Sequence, residues 1–315
     1  MAQHYRAVPK PGKIIKATNK PKIKAVVQQR KPVQKVVASK PKTITTPKQA
    51  TKNARKAVQN YSTKQERIKK EQLNKQLRRT PYNPTRDINV NAINKLKNVG
   101  VGRTLVMLAC GPSINEVDFA PLFDHPLIDL MCINKPNAKA WAHTKYWAFC
   151  DQSQYNRNTD LFFSCSQTIL NSTAVKARRA EKQTVIKSVS GNGFSRDLTR
   201  GYHIGRSTVY ANMQTALWMN YDKVYIFGID MCEVGGQLHF YGVNPDVKPS
   251  DRVKRFKIES DHYLRAYHIM KEEERAKFKI CTSYNKWEFA ELFGKIDHKI
   301  AINIILGRAK NVVYK

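Results

Sequence analysis

The sequence predicts an α/β, Rossmann-like domain. Its mainly parallel sheet carries helices on both faces, and a long basic tail precedes it. Three observations point there. Short apolar runs with little polar alternation recur through residues 87–315, as expected of strands covered on both faces. Helical patterns separate these runs, an order that gives parallel sheets. Charge divides the chain: residues 1–86 hold 24 Lys and Arg against Glu66 and Glu71, so they carry +22 of the net +32.

The tail also holds eight of the fourteen prolines, no Trp or Phe, and one glycine, Gly12. Such a stretch cannot bury enough apolar surface to offset the entropy of ordering. Residues 1–48 read as a disordered ribbon in which Lys-Pro recurs at Lys10, Lys20, Lys31 and Lys40. Residues 49–86 read as a basic helix, including Arg55 and Lys56, followed by the linker "TPYNPT". A cationic ribbon of this kind neutralises polyanions through counterion release. Nucleic acid or another polyanion is therefore the expected partner of residues 1–80.

In the body, "TLVMLAC" (104–110), "LIDLMCIN" (127–134), "KYWAFCD" (145–151), "QTILNS" (167–172) and "KVYIFGID" (223–230) read as strands. Residues 207–220 read as a helix with Ser207 as N-cap, its apolar stripe formed by Val209, Met213, Ala216 and Leu217. Segments 259–278 and 286–294 also read as helical. The six cysteines form no CxxC pair and sit mostly in apolar runs, which predicts buried, reduced thiols and no metal cluster. No run of about 18 apolar residues is present to span a membrane. The N-terminus lacks the apolar stretch of a signal peptide. The reduced thiols point to a cytoplasmic place.

Ligands of open parallel sheets bind outside the carboxyl ends of the strands. The first strand ends there in Gly111-Pro112-Ser113, a turn suited to a phosphate: glycine admits close approach and a helix start offers N–H groups. Asn134 ends the second strand and Asp151 the third, and both suit a base or ribose. Arg206, Ser207 and Thr208 open a basic helix start able to hold a phosphate, and Asp230 ends a later strand. His239, on a glycine-rich loop, is a candidate acid or base. The loop "GxxxxGK[ST]" and "GxGxxG" are both absent.

"GPSI", "CIN" and "GRSTVYANMQTALWMNYDKVYIFGIDM" in this spacing resemble the family-42 sialyltransferases. The same motifs are similar to the motility-accessory flagellin glycosyltransferases. The 205–245 stretch also resembles bacteriophage proteins labelled as morphogenetic. The likeness covers about residues 103–293. It implies metal-independent binding of a nucleotide-activated sugar such as a CMP-sialic acid, with no cofactor beyond that donor. Gly111, Pro112 and Ser113 would flank the nucleotide, Asn134 would meet the cytidine or ribose, and Ser207 to Tyr210 would line the donor site. His239 and His262 compete for the place of the catalytic histidine. Ala109-Cys110 stand where the sialyltransferases carry Gly-Asn, and Cys232 where they carry a phosphate-binding tyrosine.

Two function classes follow. One is a glycosyltransferase-like enzyme whose tail recruits a polyanion. The other is a non-catalytic virion or morphogenetic protein that holds DNA by its tail and docks on phage structural proteins by its body.

Overall fold

The computed structural model describes residues 71–72, 88–178, 180–242 and 249–307. The tail lysines 10, 20, 31 and 40, Arg55, Lys56 and the boundary at residue 86 lie outside the described residues.

Eight strands form one all-parallel sheet: β1 (Thr104–Leu108), β2 (Ile128–Ile133), β3 (Tyr146–Phe149), β4 (Thr168–Ser172), β5 (Gln183–Ile186), β8 (Lys223–Phe227), β9 (Phe278–Cys281) and β10 (Lys295–Ile296). Their order across the sheet is β10-β9-β8-β1-β2-β3-β4-β5. A small parallel pair, β6 (Ser188–Val189) and β7 (Tyr202–His203), stands apart from it. The helices are α1 (Val90–Lys95), α2 (Gln152–Arg157), α3 (Thr159–Ser164), α4 (Thr208–Trp218), α5 (Pro249–Ile269), α6 (Glu272–Arg275), α7 (Glu288–Leu292) and α8 (His298–Ile305). The fold is Rossmann-like, as the sequence predicts.

Alternation along each strand makes two cores. Leu105, Met107, Met131, Ile133, Val224 and Ile226 pack against α4, α5 and α7. Val106, Leu108, Leu130, Cys132, Tyr225 and Phe227 face the opposite side, with Phe162 of α3 and Ile302 of α8. Both faces are therefore buried, which explains the unbroken apolar runs. All six cysteines are free; Cys132, Cys150 and Cys281 are buried and the other three half-buried.

The structure corrects the reading of 259–278. The helix α5 starts ten residues earlier and ends at Ile269, and Phe278 opens β9. The short run "FKIC" is masked in the sequence by Lys277 and Lys279, of which Lys279 sits half-buried within the strand. The expected α-helix after Gly-Pro-Ser is instead a short 3-10 turn, Pro112–Glu116, with Gly111 as its N-cap.

At the amino end of the sheet, Asp129 of β2 is 4% exposed. It accepts from Arg103 Nε at 3.0 Å and Nη2 at 2.5 Å, from Lys145 Nζ at 2.9 Å and from Tyr221 Oη at 2.6 Å. Burial pushes its carboxyl pKa up, but the bonds from Arg103, Tyr221 and Lys145 outweigh burial and hold it below the usual range. An unfolded aspartate titrates near pH 4. The stabilisation is therefore complete above about pH 4 and fades as pH falls through the lower folded value. Asp129→Asn is expected to cost on the order of 2 kcal/mol at neutral pH and to shrink the fall in Tm between pH 5 and pH 3. A variant whose acid limb matches the wild type contradicts this role.

Candidate functional site

The carboxyl ends of β1 and β8 meet where the chain's connections leave in opposite directions, β1 towards β2 and β8 towards β9. This is the switch point at which open α/β sheets hold ligands. A crevice of about 200 Å³ opens there. Strand tips form its floor: Ala109 to Gly111, Asn134, and Gly228 to Met231, with Asp151 beyond the end of β3.

The β1 and β8 tips stay paired past the strands. Ala109 N–H donates to Phe227 O at 2.9 Å and Gly111 N–H to Gly228 O at 2.7 Å. A Cβ at Gly111 would stand 2.4 Å from Asp230 Oδ2 and 2.6 Å from Gly228 O. Glycine is thus required by this close approach. Asp230 is 1% exposed. Its Oδ2 accepts Ser113 N–H at 2.8 Å and its Oδ1 accepts Thr282 Oγ1–H at 2.6 Å. Asp230 is a tie that holds the Gly-Pro-Ser turn to β8 and β9. Ser113, whose N–H was expected to meet an anion, spends that N–H on Asp230, and its buried Oγ has no partner. Neither Pro112 nor Ser113 lines the crevice.

Asn134 sits at φ 59° and Met231 at φ 49°, left-handed conformations that non-glycine residues seldom adopt. Asn134 Oδ1 accepts from Thr208 Oγ1 at 2.9 Å, which ties the β2 tip to α4. Its amide nitrogen makes no hydrogen bond to any described residue. Outside the crevice, Asn285 Nδ2 and Trp287 Nε1 grip the carbonyls of Ile229 and Met231 at 2.6 and 3.3 Å. Asp151 is exposed at the crevice wall and its carboxylate caps no helix.

Ser207, Thr208 and Val209 bring the start of α4 to the crevice. Ser207 is the N-cap residue, yet its hydroxyl bonds Tyr263 Oη at 2.7 Å and makes no cap bond. Tyr263 Oη also receives the Tyr210 N–H, so in this eleven-residue helix the N–H groups of Thr208 and Val209 are the ones left without a side-chain acceptor. This is the arrangement that attracts anions. Arg206 is exposed, at φ 59°, and does not line the crevice. Tyr210 is fully buried, its hydroxyl donating to Gly193 O at 2.9 Å, so it supports the core and not the crevice.

His239 lines the crevice; His262 does not. The loop carrying His239 is fastened to β1: Phe240 N–H donates to Cys110 O at 2.9 Å, and Asn115 Nδ2 to Phe240 O at 3.0 Å. The imidazole stacks on Tyr241 at 5.0 Å. Burial lowers its pKa, and the nearby charges of Arg255 and Arg252 lower it further, against a bond to the Cys110 backbone. The ring is thus neutral at pH 7. A neutral imidazole bonded through one nitrogen leaves the other able to accept a proton. His262 rests 5.7 Å from the Tyr210 ring with a buried, unpartnered Nδ1. Cys110 lines the crevice as a thiol, since burial pushes its pKa up to about 12.

Three charged lining residues escape the sequence reading. Arg252, Arg255 and Glu259 project from α5 into the crevice at spacing i, i+3, i+7. Glu259 is 8% exposed and accepts from Arg255 Nε at 2.6 Å. Burial raises its pKa, the Arg255 charge opposes this, and Asp151 adds to the rise. The signal was available: one face of a charged helix repeats at that spacing. The Lys135 ammonium lies 4.4 Å over the Tyr241 ring, the ring on which His239 stacks.

Among the described residues, no group of three His, Cys, Asp or Glu is arranged to hold a metal, and no helix is long and apolar enough to cross a membrane. Comparison of the chain with protein-family models, with curated proteins and with solved structures gave no match.

Proposed function

We propose that the crevice binds a nucleotide-activated sugar and that the chain transfers the sugar to an acceptor hydroxyl, while the basic tail holds a polyanion. One observation carries this reading. The Thr208 and Val209 N–H groups at the start of α4, Arg252 and Arg255, and a neutral His239 surround a single crevice at the switch point of a parallel sheet. The first two suit the phosphate of a nucleotide. Asn134 and Asp151 suit its ribose or base. The crevice volume lies below the range common for drug-sized ligands. It therefore takes the phosphate and an adjoining sugar, with the remainder of the ligand at the mouth.

In this mechanism His239 accepts the proton of the acceptor hydroxyl. The hydroxyl oxygen bonds to the anomeric carbon as the bond from that carbon to the phosphate oxygen breaks. The electron pair stays on the phosphate, and the nucleotide leaves. Arg252, Arg255 and the α4 N–H groups stabilise the charge that develops on it. The helix and the Asn134–Thr208 bond hold the α4 N–H groups, so these donors need no rearrangement during the step.

A thermal-shift series on the full chain tests the reading, with CMP, CDP, UMP, UDP and a CMP-sugar as ligands and tripolyphosphate as a charge control. A ligand that binds only the folded state raises Tm in a saturable way. A cytidine or uridine nucleotide is expected to raise Tm beyond tripolyphosphate. Shifts that follow charge alone, with no dependence on the nucleoside, contradict the reading and favour the virion-protein class.

A further inference from the structure

A second hollow, of about 680 Å³, lies outside the crevice and plays no part in the mechanism above. It sits off the carboxyl end of β5, where Lys187 follows the strand, and the β6–β7 pair walls it. Its lining includes Lys187, Arg196, Arg200 and His203 against one acid, Asp197.

The frame is rigid. Tyr202 N–H donates to Lys187 O at 2.9 Å, which fixes Lys187 beside the Arg200–Gly201 turn. Gly201 has φ 105°, and a Cβ there would stand 2.5 Å from Lys187 O. Gln214 of α4, 0% exposed, closes the wall behind. Its Oε1 accepts Ser195 N–H at 2.8 Å and His203 N–H at 3.0 Å, and its Nε2 donates to His203 O at 2.7 Å. Such a frame spends a fully buried amide on holding two lining segments together.

The charges are unevenly satisfied. Glu274 grips Arg196 through two bonds of 2.6 and 2.7 Å, and Asp197 accepts both Thr199 N–H and Thr199 Oγ1–H. The side chains of Lys187 and Arg200 donate no hydrogen bond to any described residue, and the Arg200 charge lies near enough to Asp197 to help lower its pKa. His203 lines the hollow; its Nδ1 is sealed from solvent and without a partner, so a phosphate in the hollow meets the ring elsewhere than at Nδ1. Two cations whose side chains make no hydrogen bond, with a histidine beside them, match a phosphate, which offers several acceptor oxygens and negative charge.

We infer that this hollow is a second phosphate-binding site, distinct from the crevice. His203 lines the hollow and Ser207 the crevice, so three intervening residues, four steps or at most about 14 Å of extended chain, separate the two. A phosphate held here belongs to a second substrate; that assignment rests on the transfer reading, whereas the site does not.

Histidine-labelled full chain, followed by nitrogen NMR and titrated with inorganic phosphate, tests the site. His203→Gln identifies the His203 signal. Phosphate is expected to shift that signal in a saturable way, and Lys187→Glu with Arg200→Glu is expected to weaken the response at least about tenfold. Both side chains are exposed, so Tm of the double variant should match the wild type. An unmoved His203 signal, or an undiminished response in the double variant, overturns the site. Glycerol phosphate and a short oligothymidylate run in parallel separate the sources. Tighter saturation by either one supports the site and assigns it to a phosphomonoester or to a strand backbone. A nucleotide-dependent Tm rise that survives in the double variant shows that failure here leaves the crevice reading standing.

Discussion

Asp230→Ala is expected to lower the stability of the fold by about 3–5 kcal/mol and to abolish nucleotide binding. The carboxylate is buried and takes one hydrogen bond from Ser113 and one from Thr282, residues that are themselves 1% and 0% exposed. Alanine leaves both donors in the interior without an acceptor and opens a void beside Gly111. The β1 tip then loses the tie that holds it against β8, and the crevice floor loses its shape. Asp230→Asn keeps the volume and one acceptor, so it should cost about half as much. Urea denaturation of the three proteins measures the series. An alanine variant within about 1 kcal/mol of wild type would show that the turn is held by its backbone bonds alone, and would remove Asp230 as the organiser of the floor.

His239→Ala should reduce transfer by a factor of about 10²–10⁴ while leaving nucleotide affinity within about threefold. The separation of the two quantities is what marks a base and not a binding residue. Its pH profile carries the sign. The folded pKa of His239 lies below its ordinary value, because burial and the Arg255 and Arg252 charges disfavour the imidazolium. A base acts when deprotonated, so kcat/KM should be flat above neutrality and should fall on the acid side, at a pH below about 6.5. The alanine variant should lose that limb. Full activity with an intact limb would move the role to Glu259 or Asp151, the other two carboxyl or imidazole groups of the crevice wall not tied into the floor.

Much of the sheet was legible because its strands are covered twice. Runs such as "TLVML" and "KVYIF" have no solvent face, and β1 to β4, β8 and α4 stand where the sequence predicts them. The strands β5, β9 and β10 were not legible. "QTVI", "FKIC" and "KI" are short, and polar or charged residues occupy their half-buried positions near the sheet edges. The site divides in the same way. Gly111, Asn134, Asp151, Ser207, Thr208, Asp230 and His239 are brought to one crevice because strand tips of a parallel sheet share an edge. Arg252 and Arg255 come from the first turns of α5, ahead of the 259–278 segment that the sequence reading makes helical, and Glu259 stands at that segment's start, so the shared face was not read. Tyr210 and Ser113 went the other way: their polar atoms look available in the sequence but are buried, the Tyr210 hydroxyl spent on Gly193 and the Ser113 N–H on Asp230.

In the proposed function a nucleotide's phosphate and ribose occupy the switch-point crevice. Hydrogen exchange of the full chain, with and without saturating CMP, tests it most directly. Added protection should gather in four separated segments, 109–113, 207–211, 228–231 and 252–259, and leave β5, β10 and α8 unchanged. Protection confined to the tail, or spread evenly over the body without those four segments, would contradict it.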